Sequence, residues 1–187
     1  MSTSEQSLDL TTRILHLGML VFGISAWIAG GYAGDYKHAV HTGFSIHRWL
    51  GIGVVVFVTL RIIYGIIGPR SMRFVNWVPY TPERLRYVRE DIAGLLRLRV
   101  PDRPTHVGLA GFVQAYGLLV FTWMAISGTF MFFEVVPGSR ATGFVHTVME
   151  AHQIGNSLIW IYLVLHVGAV LVHTALGQPI WRRMFFK

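Results

Sequence analysis

Four long apolar stretches organise the chain, near residues 14–33, 44–68, 107–133 and 154–176, with few or no charges inside them. Each reaches the roughly 20 residues a helix needs to cross a bilayer. Lipid offers the backbone no hydrogen-bond partners, so an open chain crosses it as helix. The pattern predicts an all-α fold: an integral membrane four-helix bundle, one domain covering residues 1–187. Between the second and third stretches the pattern changes. Thr81-Pro82-Glu83 reads as an N-cap, a first-turn Pro and an acidic first turn. Leu85, Val88, Ile92, Leu95 and Leu96 then recur at helical spacing, with Arg86, Arg89, Arg97 and Arg99 between them. That predicts an extra amphipathic surface helix over about 82–99, lying on the membrane. A docking site for a cytoplasmic partner is the alternative reading of the same stretch. The first 13 residues are polar and lack a small-residue cleavage pattern, so no removable signal peptide is expected.

Composition strengthens the membrane reading. Hydrophobic residues make up 53% of the 187, and charged ones 13%. With Gly included the apolar share is about 64%, against about 45–50% for soluble domains. A soluble domain of this size has too much surface to hide so many apolar side chains. A soluble enzyme, a disordered tail and a coiled coil are excluded. The chain has no Cys. That excludes disulfides, thiolate metal sites, an iron–sulfur cluster held by this chain and covalently attached haem.

The net charge of +7 gains meaning from its placement. Arg13, Arg70, Arg73, Arg84, Arg86, Arg89, Arg97, Arg99, Arg103, Arg182, Arg183 and Lys187 fall on one side of the spans, and Lys37, Arg48 and Arg140 on the other. The positive-inside rule puts both termini and the long loop in the cytoplasm. The charge sets topology and meets anionic membrane lipids. A nucleic-acid partner is not expected, because no soluble domain displays these residues.

Nine His in so apolar a chain need an explanation. His38, His41 and His146 fall in outer loops and read as solvated. His106 begins the third span on the inner side. His16, His47, His152, His166 and His173 lie at or within the first, second and fourth spans. Ionisable groups in spans are costly and usually functional, although any one His alone reads as a helix contact. His152 and His166 are 14 residues apart, which is about 21 Å along one helix face. The first span runs outward, so His16 is on the inner side. The second runs inward, so His47 is on the outer side. Topology therefore allows two depth-matched pairs, His47 with His152 and His16 with His166.

Two imidazoles on facing helices can hold one metal from both sides. Haem fits best, since its flat apolar ring suits a Gly-bearing bundle and its iron accepts two axial His. Gly51 and Gly65 are among the small residues that would let a flat cofactor approach. Zinc fits less well, because neither depth offers a third ligand. Arg61 lies 14 residues after His47, on the same face and near the depth of His166. It reads as a propionate partner, or as an Arg snorkelling to the inner headgroups. His173, seven residues past His166, shares that face. It could replace His166 as the partner of His16, or contact a propionate or a quinone.

The residues that carry this reading resemble a known family. They are Arg13-Ile-Leu-His16, Ser45-Ile-His47-Arg-Trp-Leu-Gly51, Arg61, Gly65, His152 and His166 with thirteen residues between, His173 and Trp181-Arg-Arg-Met184. The pattern is similar to the bacterial di-haem cytochrome b family. That family includes the b-type cytochrome subunits of nickel-iron hydrogenases, related subunits of formate dehydrogenase and thiosulfate reductase, and stand-alone bacterial cytochrome b561. The resemblance covers about Arg13 to Met184. It implies four membrane helices around two haem b groups. His16 and His166 match the ligands of the cytoplasmic-side haem, and His47 and His152 those of the outer-side haem. It also implies the bacterial inner membrane. The long Arg-rich loop resembles the hydrogenase-type subunits more than the short-loop stand-alone proteins. No extended C-terminal docking segment is expected, and the loop after Arg70 keeps only part of the hydrogenase-type aromatic motif.

The expected function is transmembrane electron transfer between an outer-side redox protein, or a hydrogenase- or dehydrogenase-like subunit, and the quinone pool. His106 and His173 are candidates for proton exchange with quinone near neutral pH; interfacial His without that role are the alternative. Three other functions stay open: a stand-alone superoxide:quinone oxidoreductase, a haem-free membrane anchor, and a His-based transporter. The last calls for mid-membrane acids, and Glu134 falls at a span end.

Overall fold

The computed structural model describes residues 8–33, 42–100, 103, 106–178 and 180–185. Among the described residues the ordered elements are all helical: α1 (Leu10–Gly30), α2 (Thr42–Ile67), α3 (Phe74–Trp77), α4 (Pro82–Leu96), α5 (Leu109–Glu134), α6 (Gly143–Ala175) and α7 (Arg182–Phe185). The helices α1, α2, α5 and α6 are long and apolar enough to cross a membrane. Large apolar side chains along them are exposed, including Leu17 and Ile28 on α1, Leu119 and Ile126 on α5, and Val164 and Leu171 on α6. Water would penalise that much apolar surface, whereas lipid covers it at no cost. The outer-loop residues Lys37, His38 and His41 lie outside the described residues.

The chain divides into two compact units. The first comprises Met1–Arg61, Val120–Leu158 and Trp181–Lys187. It contains α1, most of α2, the later part of α5 and the earlier part of α6, packed as four helices. Asp9 starts α1 by accepting from the Thr12 backbone N–H at 2.9 Å, the usual way of satisfying a first-turn donor. Glycines then allow aromatic rings to seat between helices. A Cβ on Gly18 would overlap the Phe57 ring, and one on Gly53 would overlap the Phe22 ring. The two rings stack between α1 and α2, with centroids 5.5 Å apart. Replacing Gly53 by Val should therefore overpack this seam and cost about 2 kcal/mol. The thermal midpoint of the detergent-solubilised protein checks this, and an unchanged midpoint would sink it.

The fourth long helix begins at Gly143, well before the apolar stretch that starts near residue 154. The added turns carry His146, Glu150, His152 and Gln153, which hide them from a hydropathy reading. They are held by packing instead. Val145 and Met149 sit against Phe44 and Val135, together with Ala33, Met131 and Ala141. His152 consequently lies well inside a helix rather than at its edge.

The second unit comprises Ile62–Leu119 and Ile159–Ile180. Thr81 caps α4, its hydroxyl accepting from the Arg84 N–H at 3.3 Å. Leu85, Ile92, Leu95 and Leu96 are exposed, while Val88 and Asp91 are buried. The helix thus shows an apolar face and turns a carboxylate inward. Phe74 lies over Gly65, and Tyr162 over Gly117.

Candidate functional site

Within the first unit, α2 and α6 bring His47 and His152 face to face. Their ring centroids are 6.2 Å apart and the rings are near perpendicular, at 81°. Two imidazoles bound end-on to one metal, through bonds of about 2 Å each, put their centroids roughly 6 Å apart. The separation matches that of two ligands with an ion between them, and it also lies within the range of an edge-to-face ring contact.

The outer edge of each ring is tied down, which fixes its tautomer. His47 donates from Nδ1 to the Ala26 carbonyl at 2.9 Å. His152 Nδ1 meets Ser127 Oγ at 2.8 Å. Ser127 has one hydroxyl proton, and donates it to the Trp123 carbonyl at 2.7 Å. Its oxygen is left to accept, so His152 Nδ1 carries the proton. In both rings Nε2 then bears the lone pair. His152 Nε2 is buried and has no hydrogen-bond partner. A buried polar nitrogen left without one is costly. A metal that takes its lone pair removes that cost, and the Nδ1 hydrogen bond raises its strength as a ligand.

The surroundings suit a flat group. A Cβ on Gly30 would stand 3.3 Å from His47 Cε1, and one on Gly128 would stand 3.4 Å from His152 Cε1. Gly51, four residues after His47, would meet nothing within 4 Å. Among the described residues no cluster of three or more His, Asp or Glu forms. Two donors alone suit a metal whose other positions come from a macrocycle, and so these residues fit haem.

The other candidate residues are distributed as follows. His16 and Arg61 belong to the first unit, on α1 and α2, and both are half-buried. His166 belongs to the second unit and stacks on Tyr162, with centroids 5.2 Å apart. His173, also in the second unit, donates from Nδ1 to Gln178 Oε1 at 2.9 Å. Gly65 receives the Phe74 ring.

His106 sits in a built environment within the second unit. Its ring lies 5.6 Å from that of Trp77, and Nδ1 bonds Gln114 Oε1 at 2.5 Å. Its backbone is left-handed, with φ 68°, a strained conformation for a residue with a Cβ. Asp91 secures the turn that follows. It accepts from the Leu109 N–H at 2.8 Å, which caps α5, and from Arg103 Nε at 2.6 Å. Arg103 also reaches Glu90 at 2.8 Å. The hydrogen bond to Asp91 is the chief reason that the Arg103 pKa is raised above its usual value, so this cation is never titrated near neutrality.

Sequence reading assigned no role to Ser127, Gly30, Gln114 or Asp91, and counted Gly128 only among the span glycines that allow close approach. Only Asp91 left a signal, as an acid three residues after Val88 at the spacing of an apolar face.

A family profile described as prokaryotic cytochrome b561 matches residues 7–187. No curated protein and no solved structure matches the chain.

Proposed function

From a chain that belongs to the prokaryotic cytochrome b561 family, and so is a multi-pass membrane haem b electron carrier, we propose a two-haem relay. It would join an outer-side redox partner to the quinone pool of the bacterial inner membrane. The observation that supports it is the His47–His152 pair, with ring centroids 6.2 Å apart and a buried His152 Nε2 that has no hydrogen-bond partner. Bound there, haem supplies a one-electron couple at iron, tuned by its axial ligands and its apolar setting.

This chain's own residues do the rest. His47 and His152 hold the first iron, and the Ala26 carbonyl and Ser127 keep both rings oriented. Gly30, Gly51 and Gly128 keep side chains out of the way of a flat ring. His16 and His166 are proposed for the second iron, with His173 as the alternative to His166. That assignment rests on helix direction, on the thirteen-residue spacing and on family resemblance. Arg61 is proposed to meet a propionate of the second haem. The cytoplasmic placement of both termini rests on the distribution of Arg and Lys.

Quinone chemistry moves protons along with electrons. His106 and His173 are the proposed exchange groups, since imidazole is the side chain suited to passing protons near neutral pH. Replacing His106 by Gln should slow haem reduction by added quinol about tenfold or more, at unchanged haem content. An unchanged rate would remove His106 from this role.

The experiment for the whole reading is a reduced-minus-oxidised visible spectrum of the purified protein, with haem quantified per chain. Two b-type haems per chain support the relay. One, or none, overturns it.

A further inference from the structure

We propose that Arg48 binds a carboxylate of the cofactor held by His47 and His152, and so anchors a propionate of that haem. The proposal rests on the haem assignment above. Arg48 is the residue after His47, and by sequence it counts among the outer-side basic residues, at the outer end of the second apolar stretch. In the structure it lies inside α2, half-buried in the first unit.

Three of its contacts are ordinary. Nη2 donates to the Phe132 carbonyl, in the last turn of α5, at 2.6 Å. The guanidinium lies 4.4 Å over the Phe132 ring and 5.5 Å from that of Phe44. A cation over aromatic faces and at a helix C-terminus is favourable. These contacts use one nitrogen and the faces of the group. They leave Nε, which is buried and has no hydrogen-bond partner. No carboxylate among the described residues pairs with Arg48; the ion pairs there involve Arg86, Arg103 and His146.

A full positive charge with an unmet, buried N–H calls for an anion at that spot. The edge of a guanidinium presents two parallel N–H donors, whose geometry matches a carboxylate. The haem proposed for His47 brings carboxylates into the same part of the unit. The α1–α2 loop charges are the other conceivable partners, but a haem carboxylate arrives tethered to the neighbouring residue's ligand.

A fixed cation beside a haem favours its reduced form, which carries one negative charge more. Replacing Arg48 by Gln should shift the reduction equilibrium of this haem at least tenfold toward the oxidised form, a fall of about 59 mV for one electron. Arg48→Lys, which keeps the charge, should recover most of the shift. Haem transfer from Arg48→Gln to apomyoglobin should be about tenfold faster, since a carboxylate contact is lost. Potentiometric titration of the three proteins reads the first effect, and the haem concerned is the component that His152→Ala removes. Less than a twofold shift in Arg48→Gln, or an equal shift in Gln and Lys, overturns the proposal and leaves Arg48 as a helix-end contact. If Arg48→Gln holds no haem at this site, the Lys variant decides. Haem retained near the wild-type potential supports the anchor, and haem lost from both overturns it. His152→Ala protein that keeps every haem component would instead overturn the cofactor assignment itself.

Discussion

Haem content should fall from the proposed two per chain to one when His152 is replaced by Ala. The iron proposed between α2 and α6 depends on two imidazoles, and among the described residues no third His, Asp or Glu clusters with them. Ser127 would be left facing a hole, with its hydroxyl proton already given to the Trp123 carbonyl. It cannot reach across a gap set by ring centroids 6.2 Å apart. His47→Ala should remove the same spectral component, and the double variant should lose no more than either single one. Two side chains that act on one metal are not additive. His146→Ala is the control on the same helix. His146 meets Glu150 at 3.8 Å, both well exposed, and both haems should survive its loss. Pyridine haemochrome quantification, with reduced-minus-oxidised spectra, measures all four variants. Two haems in His152→Ala would disprove the pairing.

What the sequence could say about this site depended on the kind of signal each residue leaves. The membrane helices show as unbroken apolar runs. Surface helix α4 shows through Thr81-Pro82-Glu83, because capping is a local interaction among neighbouring residues. Direction of crossing was enough to suggest that His47 and His152 meet. The start of α6 was hidden because Glu150 and Gln153 are polar, and those turns are held by contacts with other helices, such as the packing of Val145 and Met149 against Phe44 and Val135. Ser127 in an apolar helix looks like any small residue. Its role exists only through a neighbour on another helix. The contacts of Arg48 were illegible for a related reason. A basic residue near a span end ordinarily points to headgroups, and the Phe132 carbonyl that turns it inward is 84 residues away in sequence. Glycines are the least legible of all. Gly128 lies beside His152, while Gly65 lies beneath Phe74, and nothing in a Gly tells a ring seat from a cofactor seat.

The second large effect should come from Asp91, far in sequence from any proposed haem ligand. Its side chain is 3% exposed, yet it holds together three segments: α4, the turn before α5, and Arg103. Asp91→Leu keeps the approximate volume and removes both acceptor oxygens. Loss of the cap on Leu109 costs about 1 kcal/mol. Loss of a charge-assisted bond costs about 1.5–3 kcal/mol, and Arg103, with 28% of its side chain exposed, recovers part of that from water. A net loss of about 3 kcal/mol follows, or a fall in thermal midpoint of roughly 6–12 °C for a chain of this length. Asp91→Asn separates the two contributions, because its amide oxygen can still accept from Leu109 while the charge is gone. It should fall between wild type and Leu. Gly108→Ala should resemble Leu, since Gly108 has φ 66° and its added Cβ would overlap the Asp91 carboxylate. The same turn carries His106 in its left-handed conformation, and a residue held under strain relaxes once its support is cut. Quinol-driven haem reduction should therefore slow in Asp91→Leu, while the haem held by His47 and His152 is retained. Equal midpoints for Asn and Leu would assign the whole effect to the charge and none to the cap. An unchanged midpoint in Leu would show that α4 does not depend on the Asp91 carboxylate for its place.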